Sequence, residues 1–152
     1  MKKLLYLTLI FGALFTAAGA KAQFGSIPGV VTDSFKVKYP DAKSVSWSGK
    51  LSSFNATFTL GNEKHLAKFN KKGEWQNTTK EISKDAMPSV IKDGLAKSKY
   101  ANPTEWEVRS VTVRYLPGSI TQYIILVAKN DIQKRSLLFS NDGQLMKDGN
   151  TL

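Results

Sequence analysis

Few residues in this sequence could do chemistry, and they are scattered. Cysteine is absent and His65 is the single histidine. Thiol catalysis and thiolate metal sites are therefore excluded, and a transition-metal site would have to be built from one imidazole and carboxylates. His65 is in strand phase with Ala67 and Phe69, and the residue seventy positions on is Arg135. A catalytic or metal role would need Glu63 or Asp33 brought beside it, so a structural, partly exposed strand residue is the favoured reading. Serines crowd "SVSWSGKLSS" (44–53), but none lies in a nucleophile-elbow frame, and the lone histidine offers no plausible triad. Asp142 and Asp148 flank a hairpin without the ligand spacing of a calcium loop, and turn chemistry accounts for Asn141-Asp142-Gly143. The expectation is a non-enzyme with no catalytic residue, no metal and no cofactor.

The elements that would position any site begin after a removable leader. Lys2 and Lys3 precede an apolar run from Leu4 to Ala18, and Ala20-Lys21-Ala22 forms a small-x-small cleavage site. That is a secretory signal over 1–22, too short in its apolar core for a bilayer span of about 20 residues. The protein is expected to be exported, to periplasm or extracellular space, and to hold its fold without disulfides. Residues 23–152 are expected to form one domain of two repeats, 26–82 and 85–148. The full-chain charge is +10; loss of Lys2, Lys3 and Lys21 leaves 19 basic and 12 acidic residues, or +7. This balance suits association with an anionic envelope surface. The lysines are dispersed, however, which reads as a solvated surface and not as a nucleic-acid groove.

The repeat is written in the helices. "IPGVVTDSF" (27–35) and "MPSVIKDGL" (87–95) carry apolar residues at helical spacing: Ile27, Val30, Val31 and Phe35, then Met87, Val90, Ile91 and Leu95. Ser26 and Asp85 are the expected N-caps, with Pro28 and Pro88 in the first turn. Strand signals follow each helix. "FNATFTL" alternates through Phe54, Ala56 and Phe58, Gly61-Asn62 forms a two-residue turn, and Gly73 supplies a left-handed turn position. The second copy continues through "EWEVRSVTVRYL", "ITQYIILVA" and "IQKRSLLF", about ten residues longer than the first. The fold class is thus α+β: two tandem α-β4 units in one continuous antiparallel sheet of about eight strands, with two helices on one face.

The frame "IPxxVxxxFxxKYPxAxxVxW", Ile27 to Trp47, and the hairpin Phe69 to Trp75 resemble the PepSY-like, β-lactamase-inhibitor-protein-like domains of secreted Bacteroidetes proteins. The resemblance covers essentially the whole chain after the leader, though Leu145 stands where the second hairpin tryptophan would be. It implies two α-β4 units and an exported protein. It also implies an open sheet face as the binding surface, because the inhibitor protein grips its enzyme that way and PepSY domains restrain peptidases. No inhibitory loop carries over residue by residue.

The open face is where function is expected. With Phe54, Ala56 and Phe58 turned to the helices, Asn55, Thr57 and Thr59 give a polar outer side. Applying the seventy-residue offset turns Ile124, Leu126 and Ala128 inward and leaves Tyr123, Ile125 and Val127 outside, with Leu138 beside them. The expected contacts are Tyr115, Tyr123, Ile125, Val127 and Leu138, flanked by Lys68 and Lys134, on a non-enzymatic binding or inhibitor-like module. Its partner would be an envelope or secreted protein, with no nucleic acid and no membrane span. A carrier of a small ligand (peptide, glycan or lipid) and a self-associating envelope scaffold are the alternatives. Trp47 and Trp106 read as matching core layers, and Trp75 as partly exposed.

Overall fold

The computed structural model describes residues 27–150. The expected leader, 1–22, and the expected cap Ser26 lie outside the described residues. Helix α1 (Gly29–Lys38) precedes β1 (Lys43–Lys50), β2 (Ser53–Leu60), β3 (Glu63–Asn70) and β4 (Trp75–Ile82). Helix α2 (Ser89–Ala96) precedes β5 (Glu107–Leu116), β6 (Ile120–Ala128), β7 (Lys134–Ser140) and β8 (Leu145–Asn150). The eight strands pair in chain order, antiparallel throughout, in one sheet. The units join at β4–β5, from Thr78↔Tyr115 to Ile82↔Val111. This is the expected α+β architecture.

Each short helix is held by its apolar stripe and not by its caps. Val31 and Phe35 from α1 enter a core with Phe54, Ala56, Phe58, Ala67 and Phe69. Ile91, beside Met87 just ahead of α2, enters a second core with Val111, Val113, Tyr123, Ile125, Val127, Leu137 and Phe139. Cross-strand pairs Phe54↔Phe69, His65↔Lys80, Val113↔Tyr123 and Tyr123↔Phe139 put both cores on one face of the sheet. The expected caps differ from what is found. Pro28 and Pro88 are themselves the N-cap residues, with extended ψ of 137° and 147° and no side-chain cap. Their carbonyls accept from the amides of Val31 and Thr32, and of Ile91 and Lys92, so Asp85 has no capping role.

The last hairpin of each unit docks against its helix through a glycine. Gly73 (φ 80°) and Gly143 (φ 83°) occupy left-handed turn positions. A Cβ on Gly73 would lie 2.7 Å from the Val30 carbonyl oxygen, and one on Gly143 would lie 2.4 Å from that of Val90.

Candidate functional site

Titratable clusters come first, because chemistry would need one. His65 is buried, not partly exposed as expected: its ring stacks on Phe58 at 5.5 Å and its Nδ1 lies 3.0 Å from the Glu63 carbonyl oxygen. The Glu63 carboxylate instead takes Lys80 Nζ at 2.8 Å, and Asp33 pairs with Lys36. Among the described residues no three His, Cys, Asp or Glu side chains gather as metal ligands.

The densest polar cluster ties the connector after α2 to the last strand. Asp148 accepts from Tyr100 Oη at 2.7 Å and Arg135 Nε at 2.7 Å, and Lys99 Nζ stands 3.1 Å away. Partial burial pushes the Asp148 carboxyl up, but the hydrogen bonds from Tyr100, Arg135 and Lys99 outweigh it, bringing the pKa from the ordinary 3.8 to about 2. The first unit has the neutral equivalent: Tyr39 Oη bonds Thr78 Oγ1, which also accepts from Trp75 Nε1 at 2.8 Å. Lys38-Tyr39 and Lys99-Tyr100 are the matching dipeptides, a repeat that the sequence displays and the helix pattern overshadows. Both clusters are latches between the residues following a helix and the closing strand. In both, the polar atoms are engaged with one another.

The uncovered face of the sheet remains, and its second half differs from expectation. Tyr123, Ile125 and Val127 are not on it. They are buried in the second core, with Ile125 and Val127 at 0% exposure, and Tyr115 packs half-buried against the same core. The cause is one residue of register. Phe54 pairs with Phe69 across the Gly61-Asn62 turn, but Tyr123 pairs with Phe139 across a longer turn, so fifteen intervening steps become sixteen. The seventy-residue offset that holds for β3 and β7 therefore becomes sixty-nine for β2 and β6. A slip of one exchanges the faces of a strand.

What the slip brings outward is also apolar. Ile124 and Leu138 are direct cross-strand partners, and Leu126 follows Ile124 on the same side of β6. All three are half-buried, while Ile120 (54%) and Met146 (57%) extend the patch. Lys147, opposite Leu138, and Arg114, opposite Gln122, border it. Arg114 Nε donates to Gln122 Oε1 at 3.1 Å, which holds the guanidinium along the strand. A depression of about 220 Å³ is lined by Arg114, Ile124, Ser136, Leu138 and Lys147. On the first half, a depression of about 610 Å³ is lined by Thr57, Lys64, Leu66, Thr79, Glu81 and Thr112.

Lys68 and Lys134 are exposed and have the open-face parity of their strands. Among the described residues Lys64, Lys68, Arg114, Lys134 and Lys147 enter no ion pair. The face thus combines an apolar strip with unneutralised cations. Trp47 and Trp106, by contrast, are not matching positions. Trp47 packs on Phe35 in the first core and Val111 is its counterpart in the sheet, whereas Trp106 lies ahead of β5 against Tyr100. Trp75 is half-buried beneath Lys38 Nζ, 3.7 Å from its ring centroid.

Residues 52–147 match the family described as "Putative beta-lactamase-inhibitor-like, PepSY-like". The chain belongs to this PepSY-like family. Solved structures share its fold. A DUF2874 family protein from Bacteroides ovatus is 28% identical, covering 84% of this chain and 89% of that one, with a TM-score of 0.75. A BLIP-like protein from Bacteroides fragilis is 22% identical, with 86% and 92% covered and a TM-score of 0.73. A protein from Bacteroides eggerthii described as "putative periplasmic" is 24% identical, with 83% and 90% covered and a TM-score of 0.72. No curated protein matches the sequence. The family description is inhibitor-like, and no helix among the described residues is long and apolar enough to cross a membrane.

Proposed function

We propose that this PepSY-like protein is an exported binding module that docks a protein partner on the open face of β5–β8. The observation that carries the reading is the Ile124–Leu138 pair, with Leu126 alongside, on a sheet face that no described element covers. A contiguous apolar strip in such a place is a contact surface, and association would bury it as a core ringed by polar groups. Ile124, Leu126 and Leu138 are the apolar anchors. Arg114 and Lys147 flank them, with Lys134 and Lys68 farther out, so the partner surface would carry apolar groups among carboxylates. Docking is steric and electrostatic, with no bond made or broken. Whether it inhibits an enzyme depends on what the partner presents to the face.

Site-specific photo-crosslinking from position 138, in cells that export the protein, tests this reading against position 57 on the polar half. The expected result is a discrete adduct with another exported protein from 138 and none from 57. Ile124→Asp should remove the adduct while the chain still unfolds in one cooperative transition. Equal adducts from both positions, or none from 138, would contradict the proposal. An adduct of twice the chain's mass would replace it with self-association.

A further inference from the structure

The two units differ most in the stretch between helix and first strand. Residues 39–42 bridge α1 and β1, whereas residues 97–106 bridge α2 and β5. The longer connector sends Tyr100 into the second core and packs Trp106 against it, and it borders an open groove of about 390 Å³, on the helix side of the sheet and away from the open face. Met87, Leu95, Tyr100, Trp106 and Val108 form its apolar lining, and the added residues Ala101 and Pro103 form its outer wall. The volume is at the low end of small-molecule sites, and apolar walls with a few polar groups at the mouth are their usual composition.

The groove is built firmly. Tyr100 is 5% exposed and held by the Asp148 bond, and Trp106 meets it edge to face at 4.8 Å and 88°. The Trp106 amide also donates to the Asn102 carbonyl oxygen at 2.9 Å, which fixes the connector as it enters β5. Its mouth carries Lys84, Lys92 and Glu107. Glu107 is shared between Lys84 Nζ at 3.7 Å and Arg109 at 3.3 Å. Lys92 Nζ donates to the Asp85 main-chain oxygen at 3.1 Å and has no carboxylate partner among the described residues. The charged residues that line the groove are thus two cations, Lys84 and Lys92, and one anion, Glu107.

From this we infer that the groove between α2 and the 97–106 connector binds a small acyl carboxylate. Its hydrocarbon body would lie on Met87, Leu95, Trp106 and Val108, and its carboxylate would meet Lys92 and Lys84 at the mouth. Burial of the chain supplies most of the affinity, in proportion to the apolar area covered, and the lysines select the charged head over a neutral one. The site is independent of the docking face, since the sheet separates them, and either proposal can fail alone.

Decanoate below its micellar concentration, titrated into the full mature chain and followed by ¹H–¹⁵N spectra, tests the inference with 1-decanol as the uncharged control. The expected result is saturable shifts confined to Met87–Val108, including the Trp106 indole, and affinity for decanol weaker by about tenfold or more. Reversing the rim with K84E/K92E should weaken decanoate by about tenfold or more. Ala101→Trp, at an exposed wall position, should occupy the groove and abolish binding at an unchanged melting temperature. Shifts centred on Ile124, Leu126 and Leu138 would overturn the inference, as would equal affinity for decanol or indifference to the rim reversal.

Discussion

The two units share a plan and have spent their differences on opposite sides of the sheet. The first has an aromatic core, in which Phe35 meets Tyr39, Trp47, Phe58 and Phe69 with ring centroids 5.0–6.2 Å apart. Its outer face is polar, through Asn55, Thr57 and Thr59. The second has a mixed core, in which Ile91, Val111, Ile125, Val127 and Leu137 pack with Tyr100, Tyr123 and Phe139, and its outer face turns apolar at Ile124, Leu126 and Leu138. Its tyrosine latch has gained a charge, with Asp148 in the place of Thr78, and its connector has lengthened into a groove wall. In a duplicated scaffold one copy can keep the fold while the other diverges.

Substitutions in β6 separate the two faces most sharply. Ile125→Ala removes a fully buried side chain and should cost about 2–5 kcal/mol in urea unfolding. Ile124→Ala, one residue away, should cost less than about 1 kcal/mol because its side chain is already partly solvated. Equal losses would erase the distinction between inner and outer faces. Phe58→Ala in the first core should cost about 3–5 kcal/mol. Because β4 and β5 are hydrogen-bonded neighbours, it should also lower the stability of the whole sheet in one transition.

The docked hairpins give the next comparison. Gly143→Ala and Gly73→Ala each force a Cβ onto a helix carbonyl at a left-handed φ, for a loss on the order of 1–3 kcal/mol by thermal unfolding. The nearer approach to Val90 predicts the larger loss at Gly143.

The latches differ in their response to acid. The folded-state pKa of Asp148 is depressed, so its contribution is full above the ordinary carboxylate range and is lost as the pH falls from about 4 towards 2. Wild-type chain should therefore lose stability across that window more steeply than Asp148→Asn, whose penalty at neutral pH is on the order of 1–3 kcal/mol. Thr78→Val should lower stability without altering the pH profile, since Thr78 does not titrate. The smallest effect belongs to Lys38→Met, which removes the ammonium above Trp75 and should cost about 0.5–1 kcal/mol.

The sequence displays the plan of this molecule better than its surfaces. Turn glycines and the strand count are local signals, and the structure has them where the pattern puts them; of the helix stripes, Val31, Phe35 and Ile91 are buried, whereas Val30 and Val90 are exposed. The face of β2 is equally legible, because Phe, Asn, Ala, Thr and Phe alternate. In β6 the run Tyr123-Ile124-Ile125-Leu126-Val127-Ala128 is apolar on both parities, so alternation carries no information there. Only the spacing across the hairpin, sixteen from Tyr123 to Phe139 against fifteen from Phe54 to Phe69, decides which side turns inward. The property that hides the register also makes the outer face apolar. The groove was invisible for another reason: its walls come from a connector whose added length shows in the repeat offset but whose path does not.

The absence of cysteine allows a direct test of the face on which this account rests. Single-cysteine variants at Ile124, Ile125 and Leu138 can be labelled with a maleimide under native conditions and again in denaturant. The account predicts rapid native labelling at 124 and 138, and labelling at 125 only after unfolding. Native labelling at 125 with protection at 124 would turn β6 over, place Tyr123, Ile125 and Val127 outside, and remove the docking surface proposed here.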